Sequence, residues 1–170
     1  KSSSIAQVYA QVQYPVPRKL GKGTAQERPY RSIPTAPFKV LDAPGILDDY
    51  YLNLLSWSAQ NVLAVALGAE VYLWNATNGM VTSLDSGLAA CEGIYYASLS
   101  WCADGSYLAV GTSDGNVQVW DGETNQKLRT MTGNKEQEMF RVGSCNWNSY
   151  MLSSGCRGGY ILNHDTRLRN

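Results

Sequence analysis

The chain has 170 residues, and its 14 Lys and Arg balance 14 Asp and Glu. That length allows one domain with a real core plus a tail. The balance conceals a basic N-terminal part too sparse in charge for a strong nucleic-acid arm, and the longest apolar run, Val62–Leu67, is far short of the ~20 residues of a membrane span.

Residues 1–39 carry seven Lys/Arg and one acid, Glu27; the remainder carries seven basic and thirteen acidic residues. All six prolines fall in the first 44 positions. Proline fixes φ and removes a ladder donor, so this zone is not interior sheet. Residues 1–38 therefore read as a basic, extended, flexible arm, with a faint alternation over Ile5–Tyr14 that could pair as an edge strand. No secretory signal opens the chain, and its start at Lys1 suggests a fragment or a processed form.

The next stretch, Lys39–Trp57, mixes apolar residues with three crowded carboxylates, Asp42, Asp48 and Asp49. It reads either as a solvated polar loop or as a binding rim that awaits a cation. After residue 50 the periodicity changes. Leu52–Trp57, Val62–Leu67, Glu70–Asn75 and Val81–Leu84 are apolar runs parted by turn residues, the pattern of antiparallel strands. A second set covers Tyr96–Trp101, Tyr107–Gly111, Asn116–Asp121 and Gln126–Met131. A third covers Val142–Trp147, Tyr150–Ser154 and Tyr160–Asp165.

Two residue series fix the repeat. Trp57, Trp101 and Trp147 are 44 and 46 apart; Trp74, Trp120 and His164 are 46 and 44 apart. Asn75, Asp121 and Asp165 follow the second series. This period, with Trp-Asp closing a third strand, marks a WD-repeat β-propeller. The expected fold is all-β: about three four-stranded antiparallel blades of an expected seven, near 50–84, 95–131 and 141–165, within a partial propeller over 39–170. His164 occupies a Trp position and reads as packing. Cys91, Cys102, Cys145 and Cys156 form no close C-x2-4-C pair, so reduced thiols are expected rather than zinc.

The strings Arg31–Pro44, Asp48–Ser58, Asn61–Leu67 and Val71–Asn75 resemble the Fizzy (cell-division-cycle-20-type) coactivators of the anaphase-promoting complex. The match continues through Leu128–Met131, Arg141–Ser144, Trp147-Asn148, Leu152–Gly155 and His164-Asp165, and leans to the Fizzy branch. The resemblance implies a non-catalytic adaptor that reads degrons and promotes ubiquitination of cell-cycle proteins. Its implied partners are ligase subunits, substrates such as cyclins and securin, and spindle-checkpoint proteins, in nucleus and cytoplasm. It implies no cofactor, metal, nucleic acid or membrane. The absence of a Ser-His-Asp grouping or phosphate-cradling Gly loop agrees with that.

By the same resemblance, Asp42 binds the Arg of a destruction box, with Leu41 and Tyr72 as apolar walls. Asp49 contacts a Lys-Glu-Asn degron, with Tyr50 beside it. The chain departs from the family in lacking later blades, the Asp-Arg-Phe/Tyr-Ile-Pro box and an Ile-Arg end. It also carries about four extra residues within Gly133–Phe140, and Cys156-Arg-Gly-Gly159 replaces Ser-Arg-Ser-Gly, so a deformed strand or turn is expected in the third blade. A truncated, binding-only paralogue is the alternative.

Overall fold

The computed structural model describes residues 33–85, 93–132 and 140–168. Most of the expected basic arm, with Ile5–Tyr14, lies outside the described residues, as do Cys91 and positions 133–139 of the expected insertion. The chain divides into two compact units, Lys1–Pro44 and Gly45–Asn170. In the first, residues 33–44 form neither strand nor helix.

The second unit is built of antiparallel sheets. Sheet one holds β1 (Leu55–Trp57), β2 (Val62–Leu67), β3 (Glu70–Asn75) and β4 (Val81–Leu84) in that order. Sheet two holds β5 (Tyr96–Trp101), β6 (Tyr107–Thr112), β7 (Asn116–Asp121) and β8 (Lys127–Thr132). Sheet three holds β9 (Val142–Asn148), β10 (Met151–Cys156) and β11 (Ile161–Asp165). Each sheet is a meander, because the connections are tight turns that return the chain beside itself. Gly79, Gly105, Gly115 and Gly159 hold positive φ in those turns.

The two Trp series mark equivalent places. Trp57 pairs with Leu63, which pairs with Trp74. Trp101, Leu108 and Trp120 form the same row in sheet two, and Trp147, Leu152 and His164 form it in sheet three. Each row is an aromatic–leucine–aromatic line across three strands, the cross-strand contact that stabilises a sheet. His164 fills the Trp place, half-buried, with its Nε2 3.4 Å from Ser154 Oγ.

Side-chain alternation explains why β6 and β7 are buried nearly throughout. Leu108, Val110 and Trp120 join one core with Leu73 of sheet one, Trp101 of sheet two and Leu54, just before β1. Ala109, Val117 and Val119 face the other way, into a second core with Val142 and Leu152 of the third sheet. Sheet two is therefore covered on both faces, whereas β8 alternates between exposed and half-buried residues. Full burial of such side chains stabilises by ~1.5–3 kcal/mol each, so these two cores dominate the energetics.

Two local features differ from the sequence expectation. The first strand begins at Leu55, not Leu52. Asn53 instead makes a parallel bridge to Ser98 of the next sheet: its N–H donates to Ala97 O at 3.0 Å, and Leu99 N–H donates to Asn53 O at 2.8 Å. Sheet three has three strands among the described residues, and its register shifts between Gly155 and Cys156. That shift falls where Cys156-Arg-Gly-Gly159 departs from the family pattern, and it re-aims the turn that follows.

Candidate functional site

The site is built from the loop that leads into β1. Asp49 Oδ1 accepts the Tyr51 N–H at 2.9 Å, and the Asp49 carbonyl accepts the Leu52 N–H at 3.1 Å. This is an aspartate folding its own backbone into a turn, a habit of Asp that Glu lacks. The other carboxylate oxygen, Oδ2, accepts Arg141 Nη1 at 2.7 Å. The Arg141 side chain is 15% exposed and that of Asp49 37%. The Tyr51 N–H, followed by the Arg141 guanidinium and opposed by partial burial, holds the Asp49 carboxyl below its ordinary value.

Arg141 reaches Asp49 because the backbone before β9 approaches the loop closely. Asn53 Nδ2 donates to Gly143 O at 2.7 Å. A Cβ on Gly143 would stand 2.9 Å from the Tyr51 carbonyl oxygen, so only glycine fits there without a shift. The Arg157 N–H donates to Arg141 O at 3.0 Å and fixes the backbone of Arg141 from the far side. The Tyr95 hydroxyl, then Asp49, hold the Arg141 guanidinium firmly charged. The Arg141 guanidinium also lies 6.0 Å from the Tyr51 ring centroid. Tyr50 is 95% exposed and meets Tyr51 edge-on, with ring centroids 5.6 Å apart. The result is an ionised, half-open carboxylate on a rigid turn, flanked by two exposed aromatic rings.

The residues singled out from the sequence fall in different settings. Asp49 and Tyr50 come together in this turn. Asp42 is exposed and Leu41 half-buried in the first unit. Tyr72, half-buried on β3, donates its hydroxyl to Glu70 Oε2 at 2.6 Å, and that contact raises its pKa. Tyr72 thus offers a ring face with an acid at its tip. Nothing in the sequence alone connects Arg141 or Tyr51 with Asp49; the string Arg141-Val-Gly-Ser144 resembles the family without marking a site. No group of three or more His, Cys, Asp or Glu among the described residues could hold a metal ion.

A family model described as the anaphase-promoting complex subunit 4 WD40 domain matches residues 88–150. The anaphase-promoting complex subunit cdc20 of Dictyostelium discoideum is 46% identical over 144 residues, which is 85% of this chain and 28% of that protein. Protein FIZZY-RELATED 3 of Arabidopsis thaliana is 48% identical over 143 residues, 84% of this chain and 28% of that protein. Over the stretch it spans, the chain is a Fizzy-type WD-repeat sequence. A structural neighbour, from a crystal structure of the mitotic checkpoint complex, superposes with a TM-score of 0.74 and 48% identity, covering 90% of this chain and 45% of its own. The Fizzy-type chain thus spans well under half of the curated relatives it matches, and its sheets are partial WD-repeat propeller blades. Named relatives of the cdc20 and Fizzy-related kinds match at similar identity.

Proposed function

We propose that this chain is part of a non-catalytic coactivator that reads degrons and presents their owners to the anaphase-promoting complex for ubiquitination. Its partners in this reading are ligase subunits, degron-bearing cell-cycle substrates and spindle-checkpoint proteins, met in nucleus and cytoplasm. The observation that carries the reading is Asp49, an ionised carboxylate held on a rigid turn beside the exposed rings of Tyr50 and Tyr51. Such a carboxylate suits the lysine of a Lys-Glu-Asn peptide, and the rings suit its aliphatic stem. By resemblance, Asp42 serves the destruction-box Arg, and Leu41 and Tyr72 supply apolar contact. One charge-assisted contact, worth ~1.5–3 kcal/mol, plus modest burial gives the reversible capture that a short motif needs.

The test is reconstitution. Anaphase-promoting complex stripped of coactivator is mixed with the full-length protein and a degron-bearing substrate. Restored ubiquitination that depends on the degron supports the reading. Ubiquitination unchanged by the protein overturns it.

A further inference from the structure

Both oxygens of Asp49 already carry a partner. Oδ1 accepts the Tyr51 N–H, and Oδ2 accepts Arg141 Nη1. A carboxylate has about four acceptor sites, two on each oxygen, so further donors can still be taken. What is lost is the freedom to take two parallel donors on the same terms as an open carboxylate. A guanidinium fork binds by placing one N–H on each oxygen in one plane. An ammonium is a compact point charge and needs one acceptor site at a time. A second guanidinium at Asp49 would also be set close to the charged Arg141.

We propose that Arg141 is a specificity-determining positioning residue that makes Asp49 a subsite for lysine and against arginine. This rests on the reading of Asp49 as a degron contact and deepens it. Arg141 is well placed for the task. Its side chain is mostly buried, its backbone is held by Arg157, and its guanidinium is held by Asp49. It therefore keeps one carboxylate oxygen engaged without moving aside for the ligand. The Asp49 side chain is open enough to admit a small cation on the remaining acceptor sites.

The test measures binding of two fluorescent peptides, one bearing Lys-Glu-Asn and one Arg-Glu-Asn, to the full-length protein. Wild type is expected to prefer the lysine peptide by about tenfold. Arg141→Gln is expected to shrink that preference to about threefold or less, by weakening the lysine peptide and sparing or improving the arginine peptide. Arg141→Lys, which keeps a donor and a charge at the pair, should retain most of the preference. Asp49→Asn separates the two levels of the argument. If it leaves the lysine peptide unaffected, the degron reading of Asp49 fails. If it weakens the lysine peptide while wild type takes both peptides equally, or while Arg141→Gln weakens both in proportion, the degron reading stands and the selectivity role of Arg141 is overturned. The wild-type comparison alone can overturn the role even if Arg141→Gln does not fold.

Discussion

Arg141 Nη1 stands 2.7 Å from Asp49 Oδ2, joining residues 92 apart in sequence. The contact ties the loop that leads into β1 to the backbone that leads into β9. It holds in place the loop whose rings and carboxylate form the candidate site. The Tyr51 N–H and then Arg141 keep the Asp49 carboxyl below its usual 3.8, so the charged form is the one the fold favours. A carboxylate with a depressed folded pKa adds stability above its unfolded pKa and loses it as pH falls through the folded value. Amide exchange at Tyr51 and Leu52 should therefore stay slow down to about pH 4 and quicken below it. Arg141→Gln should quicken it at neutral pH while leaving β6 protected. Unchanged protection in the variant would show that the backbone alone holds the loop.

Gly111 sits where sheets two and three meet. A Cβ added there would stand 2.7 Å from the Val142 carbonyl oxygen and would press on Ser98 Oγ. Ser98 is wholly buried, and its hydroxyl donates to that same carbonyl at 2.8 Å. Gly111→Ala should cost about 1–3 kcal/mol, because backbone and a buried hydroxyl are poorly able to give way. A denaturant midpoint equal to wild type would mean that the two sheets part more easily than their packing implies.

His164 is the only histidine in the chain. Burial lowers its pKa, so the fold prefers the neutral ring. A histidine with a lowered folded pKa contributes stability above its unfolded value near 6.5 and loses it as pH falls through the folded one. The melting temperature should therefore decline as pH falls below about 6.5, and His164→Gln should flatten that slope. An identical slope in the variant would place the titrating group elsewhere.

The repeat was legible because two independent residue series carried it. The Trp57 and Trp74 series land on matching rows of each sheet, since the period-two pattern of a strand and the short turns leave little choice of register. Less legible was the start of β1. Leu52 and Leu54 look like strand residues, but Asn53 spends its backbone groups on β5 of the next sheet, a long-range choice that local pattern does not encode. The site was half visible. Asp49 stood out as a charge in an apolar run, whereas Arg141 lay 92 positions away and became its partner only through the close approach at Gly143.

In the proposed function two acids have separate tasks, Asp42 for a degron arginine and Asp49 for a degron lysine. The direct measurement is the affinity of the full-length protein for an Arg-x-x-Leu peptide and a Lys-Glu-Asn peptide, in wild type, Asp42→Asn, Asp49→Asn and the control Asp85→Asn. Each of the first two substitutions keeps shape and removes charge. Each should weaken its own peptide by about tenfold, or ~1.4 kcal/mol, and leave the other within about twofold. Asp85→Asn should change neither. Wild-type affinity for both peptides in both Asp42→Asn and Asp49→Asn would contradict the account.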